Sequence, residues 1–180
     1  AKALRTAVNA VFDQPVVQRC QIHKIRNVED KLPKALGATV ATRMRRAYKA
    51  ETALLAEAQL TALAAELDRT HPGAAASLRE GLAETLTVLR LDLPPMLSST
   101  LRSTNAIESM LSICRTKSRN VKRWQDETMA MRWCAAGMIE AGKQFRRVKG
   151  HLHLPALRRA LDAHLADVGV THHTEEVTAA

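Results

Sequence analysis

Apolar residues recur at three- and four-residue intervals along most of this chain, and that rhythm constrains its fold more than any other feature. Leu4, Ala7, Val8, Val11 and Phe12 share one helical face. So do Ile25, Val28 and Leu32, then Leu54, Leu55, Ala58, Leu63, Ala64 and Leu67. Leu78, Leu82, Leu86 and Leu89 continue the pattern, as do Met129, Trp133, Ala136 and Ile139. A 3.6-residue period predicts amphipathic helices. The breaks fall where helix-incompatible residues stand: Asp13-Gln14-Pro15, Pro33, His71-Pro72-Gly73 and Leu93-Pro94-Pro95. Aromatic residues make up only 3% of the chain, which also favours helix over sheet. One segment departs from the rhythm. Val16-Val17-Gln18-Arg19-Cys20 reads as a short strand, and a strand needs a neighbour that the rest of this chain does not offer. A mainly α fold with one retained strand is therefore expected.

Charge narrows the class of partner. Lys and Arg number 27 against 18 acids, giving +9 and a pI near 10.0. A polyanion, nucleic acid above all, is the partner such a balance attracts; the plainer alternative is a soluble protein that is merely basic. Residues 36–50 carry Arg43, Arg45, Arg46 and Lys49 as one basic surface. Cys20, Cys114 and Cys134 are odd in number and widely spaced, which argues against a disulfide framework and for a reducing cytoplasm. No apolar run approaches the ~20 residues of a membrane helix. The sequence opens at Ala1 directly in helical periodicity, the expectation for a fragment or a truncated reading frame. The polar run Thr171-His172-His173-Thr174-Glu175-Glu176 is expected to fray.

The residues that could carry chemistry lie in two places. Asn105 followed by Glu108 has the spacing of an N-cap and its capping-box acid. Ile107, Met110, Leu111 and Cys114 would form the buried stripe of the helix that follows, with Ser112, Arg115 and Arg119 on the side of Glu108. Taken alone, this is a capping carboxylate beside a solvated basic face. Cys20 and His23 supply half of a tetrahedral zinc site. The other half is not evident, since Cys114 and Cys134 stand singly and His151-x-His153 has the wrong spacing for a finger. Of the two tryptophans, Trp133 is expected in the core, whereas Trp124 follows a basic run and could stack on an unpaired base.

The wider context of both sites resembles one family. Thr104-Asn105-Ala106-Ile107-Glu108-Ser109, with Arg115-Thr116-Lys117 beyond it, is similar to the Thr-Thr-Asn-x-Ile-Glu signature of Mutator-type transposases of bacterial insertion sequences. Gln18-Arg19-Cys20-Gln21-Ile22-His23-Lys24-Ile25-Arg26-Asn27-Val28 resembles that family's Gln-Arg-Cys-x-x-His-Lys-x-x-Asn-Val run. The resemblance implies an RNase H-like α/β catalytic domain interrupted by an all-helical insertion. Residues 1–24 would be a remnant of the RNase H-like core, a helix plus a short strand. Residues 25–97 would be the helical insertion subdomain. Residues 98–150 would hold the Glu-bearing helix and its successor, and 151–180 a last helix and disordered tail.

It also implies a role for each candidate residue. Glu108 becomes the third carboxylate of an Asp-Asp-Glu set that binds Mg²⁺ (or Mn²⁺) in the complete enzyme. Two such ions would stabilise the attacking and leaving oxygens of an in-line displacement at a phosphodiester. Cys20, His23 and Asn105 would lie near the active site. Arg115, Lys117, Arg119, Lys122 and Arg123 would contact DNA phosphates. In the pattern of the family it resembles, both aspartates would precede Ala1; Asp13, in a turn, and Asp30, in a helical run, are poor substitutes, so the isolated chain is expected to be inactive. The implied partners are double-stranded DNA (transposon terminal inverted repeats and target) and further copies of the complete enzyme. A bacterial, nucleoid-associated cytoplasmic location would follow, without membrane contact. A non-catalytic basic helical module that coats duplex DNA is the competing reading, and a translated pseudogene remnant a third.

Overall fold

A computed structural model of the chain describes residues 2–12 and 15–167; Asp13 and the polar run 171–176 lie outside the described residues. The described chain is helical in eleven α-segments. They are α1 (Lys2–Val11), α2 (Gln21–Glu29), α3 (Lys34–Ala47), α4 (Ala53–Asp68), α5 (Pro72–Arg79), α6 (Leu82–Thr85), α7 (Thr87–Arg90), α8 (Pro95–Leu101), α9 (Asn105–Ser118), α10 (Glu127–Gly142) and α11 (Leu154–Asp167). A 3₁₀ turn, His151–His153, precedes α11.

Local chemistry explains the boundaries. Thr52 caps α4 by accepting the Leu55 N–H at 3.2 Å, and Asp126 caps α10 by accepting that of Met129 at 2.6 Å. Pro72 opens α5 at a position where no N–H is needed. The periodicity over Leu78–Leu89 predicts one helix, but the structure holds three short ones. Gly81 adopts the left-handed conformation, φ 61° and ψ 31°, and interrupts the helix there.

The core sits between α2 and α7. Ile25 and Val28 of α2 meet Val40, Ala41 and Met44 of α3, Leu60, Leu63 and Leu67 of α4, and Ala74, Ala75 and Leu78 of α5. Leu82 and Leu86 close it. Each fully buried leucine contributes about 1.5–3 kcal/mol of transfer free energy. The polar groups inside are matched: the buried Tyr48 hydroxyl lies 3.2 Å from Thr85 Oγ1, which itself donates to the Leu82 carbonyl at 2.7 Å.

Two expectations require correction. Residues 15–20 are extended but form no strand, and no strand occurs among the described residues. Their polar groups are satisfied by the α6–α7 segment instead of by a sheet. The Arg19 N–H donates to the Glu84 carbonyl at 2.9 Å, and the Thr87 hydroxyl donates to that of Val17 at 2.7 Å. The Gln18 amide donates to the Thr85 carbonyl and accepts the Val88 N–H, at 3.0 and 2.8 Å. A segment with β-like composition thus meets its hydrogen-bonding needs without a partner strand.

The second correction concerns α9 and α10. They pack on each other with Gly137 seated on Cys114, so closely that a Cβ at 137 would fall 2.8 Å from the Cys114 Cα. Of the predicted stripe on α9, only Cys114 is buried; Ile107 is 51% exposed. Trp133, expected in the core, is 37% exposed, and Ile139 is 69% exposed. The two helices pack along each other through small residues, burying Cys114, Gly137 and Ala141 and leaving the bulkier Ile107, Trp133 and Ile139 side chains partly or largely exposed.

Candidate active site

α2 and α9 begin beside each other. The Gln21 N–H donates to the Arg102 carbonyl at 3.0 Å, which joins the first turn of α2 to the chain entering α9. Cys20 occupies the N-cap position of α2. Thr104, not Asn105, occupies that position for α9; Asn105 is already helical, which corrects the predicted cap. Thr104 makes no side-chain bond to the free backbone N–H groups of α9. Its hydroxyl donates instead to Glu108 Oε1. The Glu108 N–H meanwhile bonds the Thr104 carbonyl at 2.9 Å as an ordinary helical bond.

His23 completes the group. Its Nδ1 lies 3.4 Å from Thr104 Oγ1 and 3.5 Å from Glu108 Oε1. The Glu108 side chain is 47% exposed, so it is held by neighbours on one side and open on the other. Burial pushes the Cys20 thiol up, but the Thr104 hydroxyl and the N–H groups of His23, Thr104 and Ile22 outweigh it and lower its pKa to about 7. Hydrogen bonds aimed at a sulfur from a helix N-terminus stabilise its thiolate. Cys20, His23, Thr104 and Glu108 therefore form one cluster across two helix starts. Asn105 is exposed at the start of α9, next to it.

The rest of the 18–28 block anchors this arrangement. Arg19 bridges Glu84 at 2.5 Å and Glu80 at 3.1 Å. Gln21 donates to the Thr85 carbonyl at 2.9 Å. The buried Lys24 ammonium donates to the carbonyls of Ser77 and Glu80. Burial holds its pKa below the usual lysine value. These contacts fix the start of α2 against α5–α7, and so place Cys20 and His23 before α9.

The predicted cations divide. At 100° per residue, Arg115 and Arg119 fall within about 20° of the direction of Glu108 on α9, up to about 16 Å further along the axis. Lys117 falls on the opposite face, where it meets Glu140 of α10 at 3.6 Å. Lys122, Arg123 and the 48%-exposed Trp124 follow in the α9–α10 connection. Arg115, Arg119, Lys122 and Arg123 make no ion pair among the described residues. Asp30 caps the far end of α2, about 15 Å of helix from Cys20. Among the described residues no group of three His, Cys, Asp or Glu side chains is arranged to hold a metal ion. A cleft of about 320 Å³ between α3 and α4 shares no residue with the Glu108 cluster.

Comparison with known proteins decides the family. The sequence model described as "Transposase, Mutator family" matches residues 1–148. The chain belongs to the Mutator family of transposases. Among curated relatives, it is 30% identical over 157 residues to a probable transposase for an insertion sequence element of Corynebacterium diphtheriae, covering 82% of this chain and 43% of that protein. It is 25% identical over 155 residues to the transposase for insertion sequence element ISRM5 of Rhizobium meliloti (strain 1021), covering 86% and 38%. It is 28% identical over 116 residues to the transposase for insertion sequence element IST2 of Acidithiobacillus ferrooxidans, covering 64% and 38%. The chain thus spans roughly two-fifths of the length of these transposases. No solved structure gives a significant match. Among the described residues no helix is long and apolar enough to cross a membrane.

Sequence reasoning missed three positions in this Mutator chain. Thr104 was passed over because Asn105 fits the cap pattern equally well, although a Thr four residues before a Glu is within reach of its carboxylate. Lys24 and Gln21 look like surface residues in sequence; only the carbonyls that receive them, those of Ser77 and Glu80 for Lys24 and of Thr85 for Gln21, show otherwise.

Proposed function

We propose that this chain supplies the glutamate of a DDE-type DNA transposase, Glu108, to a metal-dependent phosphodiester site whose other carboxylates lie outside residues 1–180. The observation that carries the reading is the attitude of Glu108. A capping-box acid would return to the backbone N–H at its helix start. This one is instead held by Thr104 and His23, beside the Cys20 thiol, with its second oxygen making no hydrogen bond among the described residues. Family membership and the basic face containing Arg115 and Arg119 add support.

The fit to a Mg²⁺ pair is partial. Hard divalent cations want several oxygen donors, and this cluster offers one carboxylate, a thiol and an imidazole. The described residues alone do not fit that group. The chain's own residues have definite tasks in the proposal. Thr104 and His23 orient Glu108. Arg115 and Arg119 bind successive phosphates of duplex DNA, with Lys122 and Arg123 extending the track. The complete enzyme would act on transposon-end and target DNA as an oligomer.

The test is a chimera in which this chain replaces the matching 43% of the Corynebacterium protein. Glu108→Gln should abolish Mg²⁺-dependent cleavage of transposon-end DNA while binding of the same DNA persists. Unchanged cleavage would defeat the catalytic assignment and favour a non-catalytic DNA-binding module.

A further inference from the structure

We infer that residues 145–149 form a second DNA contact of this chain, one that takes an unpaired strand: Arg146, Arg147 and Lys149 hold its phosphates and Phe145 stacks on a base. The inference rests on the DNA reading given above and adds a site to it. Charge points to this segment first. Residues 128–161 carry seven Lys and Arg side chains against a single acid, Glu140. That acid is already shared by Lys117 and Lys143, at 3.6 and 3.0 Å. Arg146, Arg147 and Lys149 are exposed and make no ion pair among the described residues. Three cations within four residues repel one another, and a polyanion laid across them relieves that repulsion.

The segment is anchored beside the start of α9. Gly150 adopts φ 78°, and a Cβ there would fall 2.6 Å from the Leu97 backbone nitrogen, so a glycine lets the chain close onto α8. The Thr100 hydroxyl of α8 lies 3.2 Å from the Lys149 carbonyl, and the His151 N–H returns to the Val148 carbonyl at 3.0 Å. α8 leads directly into α9: Thr100 and Thr104 are separated by at most about 14 Å of chain. The cations are thus fixed on the approach to Glu108, whereas Arg115 and Arg119 lie beyond it along α9. Phe145 decides the kind of strand. Its side chain is 61% exposed, with Lys143 and Arg146 on either side of it in the chain. Duplex DNA offers a protein its phosphates and the edges of its bases. An exposed ring flanked by cations is matched instead by an unpaired base, whose face is free to stack.

The experiment uses the 180-residue chain itself. Its binding to a fluorescently labelled oligonucleotide of mixed sequence, as a single strand and as the duplex, is followed by anisotropy over a range of salt concentrations. Phe145→Ala should weaken single-strand binding about five-fold or more, leave its salt dependence and the duplex affinity unaltered, and be rescued by Phe145→Trp. Arg146→Ala and Arg147→Ala should each lower the single-strand slope of log affinity against log salt by about 0.7. Lys34→Ala, which removes an exposed cation at the start of α3, should leave that slope unchanged. Circular dichroism confirms that each variant is folded. Wild-type single-strand affinity in Phe145→Ala, an equal loss on duplex, failure of tryptophan to rescue, or slopes that fall as far in Lys34→Ala would each overturn the proposal. The last of these would indicate general attraction to a basic protein. Binding of duplex without single strand defeats this inference alone, whereas binding of neither removes the DNA reading with it. The cleavage test of Glu108→Gln in the chimera reads a different residue and is decided separately.

Discussion

Gly81→Ala should be among the most damaging single-methyl additions in the chain, and its cost can be worked from the structure. Gly81 has φ 61°, a left-handed conformation that costs an L side chain about 1–2 kcal/mol. A Cβ there would also fall 2.5 Å from the Arg19 guanidinium. The arginine would have to withdraw from Glu84 and Glu80, the pairs that tether the residue preceding Cys20. Those side chains are partly exposed, so each lost pair is discounted to about 0.5–1 kcal/mol. The total is about 2–4 kcal/mol, or a fall in melting temperature of about 5–12 °C for a domain of this size. Urea unfolding followed by circular dichroism measures it. Gly73→Ala is the matched control: it lies in α5 with nothing within 4 Å of the added methyl. It should be neutral, or stabilising by about 0.5 kcal/mol, since alanine is the better helix former. A loss below about 1 kcal/mol for Gly81→Ala, or equal losses for both, would refute the claim that Arg19 is clamped over this turn.

Two further outcomes follow. In duplex-DNA binding, removing Arg115 or Arg119 should lower the slope of log affinity against log salt by about 0.9 each, measured by fluorescence anisotropy. Lys117→Ala should lower it less, because Lys117 faces Glu140 on the other side of α9. Tyr48 is the only tyrosine, and burial pushes its pKa up to about 12 despite the bond to Thr85. Its folded value therefore exceeds the unfolded one, so the associated stability is present below about pH 10 and is lost as pH rises toward 12. Absorbance at ~295 nm should show tyrosinate forming near pH 12 in the native chain and near 10 in urea; a native midpoint near 10 would contradict the buried placement.

Much of this fold is legible in the sequence, and the losses have definite causes. Val28, Leu63, Leu67 and Leu78 reveal helices because one face of each is buried against other helices, so their spacing records the packing directly. The 16–20 segment misleads because its β-branched residues report an extended backbone, not a ladder. The Thr87 hydroxyl and the Glu84 carbonyl, far away in sequence, satisfy the Val17 carbonyl and the Arg19 N–H that a sheet would otherwise pair. On α9 and α10 the apolar pattern is real, yet it overstates burial, since Gly137 on Cys114 is the close contact. The candidate site was legible only in part. Glu108, Cys20 and His23 can be singled out by residue type and context, but the hydroxyl that joins them cannot. Thr104 and Asn105 are both good cap residues, and which one begins the helix is settled by tertiary contact between α2 and α9.

Whether Glu108 is one ligand of a cation site completed from outside this chain is tested most directly by titration with Mn²⁺ followed by electron paramagnetic resonance, comparing residues 1–180 alone with the Corynebacterium chimera. The chain alone should show no saturable site below the millimolar range, and the chimera should show tight binding that Glu108→Gln removes. Tight binding by the chain alone, or binding in the chimera that survives Glu108→Gln, would contradict it.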